Sequence, residues 1–331
     1  MPSLDIETIS VQHSIIICTA ANGAYFNLLH GLIASLRGAA RRGLRLGILD
    51  LGGMSDDQKT ILRDYGAILT EPGWDCDFPG RETAPLYYRA MTARPYLPKH
   101  FPGYDLYLWI DADAWVQDED CLVPLLRAAA QNKLAIVSEF DRCYLKPYKR
   151  PKLWTQNHET FAASFGLTAG YRLGRTPRLN SGVFALAKDA PHWQLWAAAH
   201  QRILNRIGGK QRARKKSFFF IAEQTALNYV VFGDRQDYTI LPATFNWLCS
   251  DAAPKWDERI GRLVEPHEPH TQLGIIHLAG ANVKDRVWDI EDLSGGHVHT
   301  LLTYDAITTL RNSCAGTGSD RGRNGAVVTS A

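Results

Sequence analysis

The chain has 331 residues, with 37 lysines and arginines against 34 aspartates and glutamates, and a net charge of +3. Hydrophobic residues make up 45% and charged residues 21%, which is typical of a globular enzyme and excludes a largely disordered chain. Because so small a net charge does not indicate nucleic-acid binding, we expect no nucleic-acid partner. The length suffices for one large α/β domain or two small ones.

No segment of the sequence predicts secretion or a membrane span. Residues 1–10 lack the basic region of a signal peptide, and no run of about 18 apolar residues is free of polar interruption. The 6 cysteines form no Cys-x-x-Cys pair, which argues against a zinc ribbon or a thioredoxin motif. We therefore expect a cytoplasmic protein in a reducing compartment, and peripheral contact with a membrane stays open.

Apolar runs and helical patterns alternate along the first half of the chain. The runs that predict strands lie at 14–20, 44–51, 67–70, 105–110 and 134–138. The patterns that predict helices cover 26–40, 55–65 with Ser55 as the cap, and 85–94, where Pro95 is expected to stop the helix. This alternation favours a mostly parallel sheet covered by helices.

The second half of the chain is less regular. The predicted strands lie at 181–187, 238–241 and 274–278, and the predicted helices at 191–207 and 222–232. Residues 312–331 are rich in Gly, Ser, Thr and Asn and show no periodic pattern, so we expect a flexible tail there. The rest, 1–311, is predicted to form one main domain.

Two aspartates follow the fourth predicted strand, in the order Asp111-Ala112-Asp113. Ligands of open α/β sheets bind at the carboxyl ends of strands, and residues i and i+2 of a strand share a face. Both carboxylates can therefore approach one divalent cation, which would neutralise a departing diphosphate. The alternative is that these aspartates are ordinary turn formers.

His277 also leaves a predicted strand and is followed by Gly280 and Lys284. An imidazole would complete an Asp, Asp, His set and shift the preferred ion from Mg²⁺ towards Mn²⁺. Gly280 lets a phosphate approach the backbone, and Lys284 reaches a phosphate oxygen. A lone histidine after a strand is otherwise a structural hydrogen-bonding residue.

Three further features suit a sugar-nucleotide donor. Asn180-Ser181-Gly182 enters a strand, where small residues allow close contact and the asparagine can bond sugar hydroxyls. Glu223-Gln224 begins a helix, where acidic residues are favoured without any function. Arg89, near the Asp-x-Asp strand, can hold donor oxygens, although an arginine on a helix is ordinarily only solvated.

In order and approximate spacing these features resemble the family 8 glycosyltransferases, retaining enzymes of the GT-A fold. The resemblance covers about 14–288 and is carried by Tyr87-Tyr88-Arg89 with Tyr107–Asp113, by Asn180–Val183, Glu223–Asn228 and Leu241–Asn246, and by His277–Gly280 with Lys284 and Trp288. A neighbouring GT-A family, the α-mannosyl and α-xylosyl transferases, has a similar Asp-x-Asp strand.

The resemblance implies a GT-A fold, which is a nucleotide-binding, Rossmann-like mixed sheet flanked by helices with acceptor-side elaborations. About 14–140 would bind the nucleotide and about 141–311 the sugar and acceptor. It further implies Mn²⁺ or Mg²⁺ at Asp111, Asp113 and His277, a UDP-linked donor, and transfer of a hexose with retention to a glycan, lipid-linked or protein acceptor. Glu223 and Gln224 would lie at the sugar. Ala112, Asn180, Ser181 and Gly182 would contact the donor.

The first loop departs from the family pattern. The family usually has an aspartate and an asparagine that read the uracil edge and the ribose, whereas Asn22 and Ala24 stand at those positions here. We assign Ala20, Asn22 and Tyr25 to the nucleotide, with Tyr25 able to stack on a base.

Two other functions stay open at this point. A sugar-phosphate nucleotidyltransferase also combines a nucleotide-binding sheet with a metal, but it normally has a glycine-rich, lysine-containing loop near the N-terminus. A non-catalytic nucleotide-sugar binding protein would keep the donor residues. Two basic clusters, Lys146–Lys152 and Lys210–Lys216, are either solvated loops or contacts to anionic lipid or an acidic acceptor.

Overall fold

The computed structural model describes residues 5–144, 152–207, 216–280 and 282–317. Its strands are β1 (Ile15–Ala21), β2 (Arg45–Asp50), β3 (Ala67–Thr70), β4 (Leu106–Ile110), β5 (Ala114–Val116), β6 (Leu134–Ser138), β7 (Leu179–Ala187), β8 (Tyr238–Leu241), β9 (Trp247–Leu248), β10 (Lys255–Asp257), β11 (Arg262–Val264), β12 (Ile275–His277), β13 (Trp288–Glu291) and β14 (His297–Thr300).

Its helices are α1 (Ile6–Gln12), α2 (Phe26–Ser35), α3 (Arg37–Arg41), α4 (Asp56–Asp64), α5 (Tyr88–Ala93), α6 (Leu97–His100), α7 (Leu122–Ala130), α8 (Lys152–Phe165), α9 (Leu167–Leu173), α10 (His192–Ile207), α11 (Lys216–Phe220), α12 (Ala222–Phe232) and α13 (Tyr304–Thr317). Single 3-10 turns lie at Gly23–Tyr25, Arg81–Thr83, Arg94–Tyr96, Glu119–Cys121 and Ala243–Phe245. None of the helices in the described ranges is long and apolar enough to cross a membrane.

A seven-stranded mixed sheet in the order β3-β2-β1-β4-β7-β6-β8 forms the centre of the protein. The first four strands run parallel, and β7 runs antiparallel to both of its neighbours. In the β4–β7 register Ile110 is opposite Val183, so the beginning of β7 lies at the carboxyl end of β4. The sheet therefore brings the segments after β4 and before Val183 to the same edge.

Both faces of this sheet are covered. Ile15 and Ile17 of β1 belong to the apolar cluster that includes α2 and α7, whereas Ile16 and Cys18 belong to the cluster that includes α10 and α12. Because successive side chains of a strand point to opposite faces, a strand buried on both sides is a continuous apolar run. That explains why such runs predicted the central strands.

A second sheet, β5-β12-β9, adjoins the carboxyl end of β4. β12 is antiparallel to β5 and parallel to β9. Buried tryptophans, among them Trp115 and Trp247, fill the cluster around it. This small sheet joins residues from the last third of the chain to those that directly follow β4.

The chain differs from two local predictions. Pro95 does not end the helical stretch; it lies in the first turn of the 3-10 segment Arg94–Tyr96, where its missing N–H is tolerated, and α6 follows. Residues 312–317, predicted as part of the tail, are instead the end of α13. The remainder of the predicted tail lies outside the described residues.

His200 is a fully buried histidine of α10, with its Nε2 3.2 Å from the hydroxyl oxygen of Tyr88. Burial, and then the nearby Arg94, lower its pKa from 6.5 to about 3. Between these values the folded protein binds fewer protons than the unfolded chain, so the free energy of unfolding falls as the pH drops below 6.5.

Lowering the pH from 7 to 5 should reduce the free energy of unfolding of the wild type. We expect this reduction to be about 2 kcal/mol smaller in His200→Gln, which lacks the titrating imidazole. Urea unfolding at the two pH values measures this difference. His267→Gln, which replaces an exposed histidine, is the matched control and should follow the wild type. Equal acid sensitivity of all three proteins would show that His200 is not the group responsible.

Candidate active site

Asp111 and Asp113 lie where the chain passes from the main sheet to the small one. The N–H of Asp111 donates to the carbonyl of Gly182 at 2.8 Å, and the N–H of Ala114 donates to the carbonyl of Asp111 at 2.9 Å. The second bond closes a tight turn between β4 and β5. The two carboxylates are thereby held at the sheet edge by backbone bonds on both sides.

His277 reaches this turn because β12 pairs with β5, which places His277 opposite Ala114. Its Nε2 lies 3.3 Å from Oδ1 of Asp113 and 3.7 Å from Oδ2 of Asp111. One ligand atom from each of Asp111, Asp113 and His277 lies within 4.8 Å of the other two, and no other such group occurs in the described part of the chain. Two carboxylates and one imidazole suit Mn²⁺ better than Mg²⁺, so the donor set fits the predicted ion.

Gly182 packs directly against this triad. A Cβ at this position would lie 2.4 Å from Cε1 of His277 and 2.9 Å from Oδ2 of Asp111. Both distances are shorter than van der Waals contact, so a side chain would displace two of the three candidate ligands. Glycine is therefore needed here to leave room for the triad, a reason that the sequence did not supply.

Arg94 links the triad to Glu223. Its Nη1 lies 2.8 Å from Oε2 of Glu223, and its Nη2 pairs with Asp111. The guanidinium carbon lies 4.8 Å from the centre of the Trp109 ring, and the hydroxyl of Ser181 donates to the same Oε2 at 2.9 Å. Arg94 is 7% exposed, so this single cation is shared between two carboxylates largely out of water.

Glu223 has one satisfied and one unsatisfied oxygen. Oε2 accepts from Arg94 and Ser181, whereas the buried Oε1 has no hydrogen-bond partner. Burial raises the pKa of Glu223 to about 7, against the opposing effects of Arg94 and Ser181. A buried carboxylate oxygen without a partner is costly unless a ligand donates a hydrogen bond to it.

Lys284 lies against the same triad. Its Nζ is 2.9 Å from Oδ2 of Asp113 and 3.9 Å from the centre of the Tyr25 ring. Burial by itself would raise the pKa of Asp113, but His277 and Lys284 outweigh it and hold that pKa below its ordinary value. Gly280 follows β12 with φ 109°, a conformation that favours glycine.

These side chains line one cavity of about 440 Å³. The predicted residues that line it are Tyr25, Asp111, Asp113, Asn180, Ser181, Gly182, Glu223, Gln224, His277, Gly280 and Lys284. Arg94, Phe220 and Met91 join them. The sheet edges thus bring together residues that are far apart in the sequence.

Four predicted residues do not line this cavity: Ala20, Asn22, Arg89 and Ala112. Ala112 is buried between the two aspartates. Asn22 caps the 3-10 turn before α2, its Oδ1 accepting from the N–H of Tyr25 at 3.2 Å. The predicted nucleotide contacts of Ala20 and Asn22 stay predictions.

Arg89 is not among the residues that line the cavity, and its predicted contact with donor oxygens stays a prediction. Its guanidinium lies 3.8 Å from Glu71 and 5.7 Å from the ring of Trp74. Arg94, five residues further, lines the cavity and pairs with Asp111 and Glu223. Arg94 was not among the residues assigned from the sequence.

Two more polar residues of the site were not assigned a role from the sequence. Asn246 lies in the segment Leu241–Asn246 that carried the family resemblance, and its Oδ1 is 2.8 Å from Nδ1 of His277. Glu139 directly follows β6, a position that the strand-end argument used for Asp111 also covers. Applied to β6, the same argument would have found Glu139.

No family model matches the chain, and no curated protein matches it in sequence. Among solved structures, the galactosyltransferase LgtC in complex with donor and acceptor sugar analogues is similar, with 16% identity over 90% of this chain and 96% of LgtC and a TM-score of 0.50. An active-site mutant of LgtC that carries glutamate in place of glutamine gives 14% identity, 92% and 96% coverage and a TM-score of 0.51.

The protein has the GT-A fold. At this level of identity the likeness shows the fold alone, and the chemistry rests on the site itself. Within the GT-A sheet, the triad and the cavity lie at the carboxyl end of β4, where ligands of open α/β sheets bind.

Proposed function

We propose that the protein is a metal-dependent glycosyltransferase that moves a hexose or related sugar from a nucleotide-sugar donor, with UDP as the nucleotide, to a saccharide, lipid-linked or protein acceptor. The observation that carries the proposal is the convergence of Asp111, Asp113 and His277 at the wall of a cavity that also holds Glu223 and Gln224.

Asp111, Asp113 and His277 would hold Mn²⁺, which supplies charge neutralisation for the departing diphosphate. Lys284 stabilises the same negative charge from its position beside Asp113. Tyr25 offers a half-exposed ring to the nucleoside next to Lys284. The triad, Lys284 and Tyr25 therefore bind and stabilise the leaving nucleotide.

The sugar of the donor is recognised by a second set of residues: Glu223, Gln224, Asn180 and Arg94. The unsatisfied oxygen of Glu223 accepts a hydrogen bond from a sugar hydroxyl. The carbonyl dipole of Gln224 stabilises positive charge at the anomeric carbon. We propose net retention, with the acceptor attacking from the leaving-group side and the departing phosphate taking its proton. In this scheme Glu223 binds the sugar and forms no covalent bond to it.

A panel of nucleotide sugars with Mn²⁺ tests the function. Transfer to an added saccharide, or slow donor hydrolysis, is the expected result. Pyrophosphate exchange would instead identify a nucleotidyltransferase, and tight binding with no turnover of any donor would identify a binding protein. Either of these outcomes removes the proposal.

We also propose that the basic segment Lys210–Lys216 contributes to association with an anionic membrane or acceptor. The segment lies outside the residues whose side chains are described, so its charge is the whole basis of the proposal. Neutralising its five basic residues should weaken binding to anionic vesicles, and the wild-type binding should fall steeply with salt. Unchanged vesicle binding together with an unchanged acceptor KM would remove the idea.

A further inference from the structure

Glu139 is a part-buried carboxylate at the end of β6 that the roles assigned above do not use. Its side chain is 16% exposed, and Oε2 lies 2.9 Å from Nε of Arg178. The N–H of Glu139 also donates to the carbonyl of Arg178 at 2.7 Å, so backbone and side chain hold the two residues together. The other oxygen, Oε1, accepts from the amide nitrogens of Asn180 and Gln224, each at 3.0 Å.

Backbone N–H groups of β7 determine which way these two amides point. The N–H of Ser181 donates to Oε1 of Gln224 at 3.2 Å, and the N–H of Gly182 donates to Oδ1 of Asn180 at 2.9 Å. Because a backbone N–H needs an acceptor, the side-chain oxygens of Asn180 and Gln224 point to these two N–H groups. The NH₂ groups of both side chains therefore point to Glu139. One carboxylate oxygen is thus the shared acceptor, and its loss would leave two part-buried NH₂ groups without a partner.

A chain of hydrogen bonds continues from Asn180 to the triad. Oδ1 of Asn180 also accepts from Nδ2 of Asn246 at 2.9 Å, so the other amide atom of Asn246, Oδ1, accepts from Nδ1 of His277 at 2.8 Å. A proton on Nδ1 leaves the lone pair of Nε2 for a cation that the two aspartates would share with His277. Asn246 is 0% exposed and His277 is 3% exposed, so bulk water does not replace these bonds.

We propose that Glu139 is a positioning residue that acts at two points of the site. Through Asn180 and Asn246 it holds His277 in the tautomer that binds a metal, and directly it holds the amide orientation of Gln224. Arg178 fixes Glu139 itself. The role at Gln224 rests on the proposed function, whereas the role at His277 requires only that the triad binds a divalent cation.

The test compares Mn²⁺ binding by Glu139→Leu, Glu139→Gln and the wild type, measured by calorimetry without any nucleotide. The leucine variant keeps the side-chain bulk but removes the acceptor, and we expect its Mn²⁺ dissociation constant to rise about 10-fold to 100-fold, as for other residues that orient metal ligands. The glutamine variant should lose less, because its carbonyl oxygen can still accept both bonds. Its NH₂ then faces the Arg178 donor, so the glutamine variant loses only the ion pair with Arg178.

Nitrogen NMR of the metal-free proteins, at a pH where the imidazole is neutral, reports the tautomer. The wild type should show His277 with the proton on Nδ1, and Glu139→Leu should show a share of the other tautomer. Glu159→Leu, which removes an exposed glutamate of α8, is the matched control for the substitution and should behave as the wild type.

Each outcome separates this inference from the proposed function. Wild-type Mn²⁺ affinity and tautomer in a folded Glu139→Leu protein would overturn the positioning role, whatever the enzyme transfers. If the wild type binds Mn²⁺ but transfers no sugar, the glycosyltransferase proposal fails and the effect of Glu139 on His277 still stands.

Discussion

Asp113→Asn is expected to lower kcat/KM for sugar transfer by about 10³-fold or more, equivalent to about 4 kcal/mol of transition-state stabilisation. Asp113 lies 3.3 Å from Nε2 of His277 and 2.9 Å from Nζ of Lys284. The substitution therefore removes one candidate metal ligand and also the charge partner of Lys284. The diphosphate would then leave with its charge poorly neutralised. Mn²⁺ titration should show a matching loss of affinity.

Asp285→Asn is the control for this prediction. Asp285 is exposed and adjacent to Lys284 in sequence. Its substitution by asparagine removes the same charge as Asp113→Asn but leaves the triad intact. We expect its kcat/KM to stay within about 3-fold of the wild type, as for a typical surface substitution. A folded Asp113→Asn protein with wild-type transfer and wild-type Mn²⁺ affinity would mean that the triad is not the metal site.

Glu223→Gln is expected to lower kcat/KM about 10-fold to 100-fold, or about 1.4 to 2.7 kcal/mol. Arg94 and Ser181 both donate to Oε2, so a glutamine would turn its carbonyl oxygen to them and its NH₂ into the place of Oε1. Residue 223 would then have a donor in place of an acceptor that now has no partner. A sugar hydroxyl that donates there would lose its partner.

The same substitution should change the pH dependence of donor binding. The pKa of Glu223 is about 7, so the carboxylate is neutral below and charged above that pH. Since the charged form is the stronger acceptor, donor affinity of the wild type should rise as the pH increases through about 7, and the glutamine variant should lack this step. Donor dissociation constants measured from pH 6 to pH 8 test both statements.

A loss of several orders of magnitude in kcat for Glu223→Gln, with a trapped glycosyl-enzyme in the wild type, would indicate a covalent role instead. Gln224→Ala is the companion variant, since it removes the carbonyl dipole and leaves Glu223 in place. NMR assignment of the product anomer decides the stereochemistry separately, and an inverted product would refute retention whatever the two variants show.

The sequence by itself determined those features that depend on local spacing. Runs such as Ile15–Ala21 predicted the buried strands because a strand covered on both faces is apolar at every position. Asp111 and Asp113 were placed at a strand end by the same run of residues that forms β4. The GT-A fold, which the motif resemblance to the family 8 glycosyltransferases implied, is confirmed.

Only the tertiary structure decided which of these residues meet. His277 reaches Asp113 because β12 pairs with β5, and no local pattern in either strand names the other as its partner. Arg94 lines the cavity because it pairs there with Asp111 and Glu223, which come from a different strand and a different helix.

Glu139, Asn180 and Gln224 come from three separate parts of the chain. The amide orientations of Asn180 and Gln224 follow from two backbone N–H groups of β7. Local spacing sets which face of a strand or helix a side chain occupies, because backbone geometry repeats over two to four residues. Contacts between distant segments depend instead on which strands pair and which apolar faces pack, and that choice is made by the folded chain as a whole.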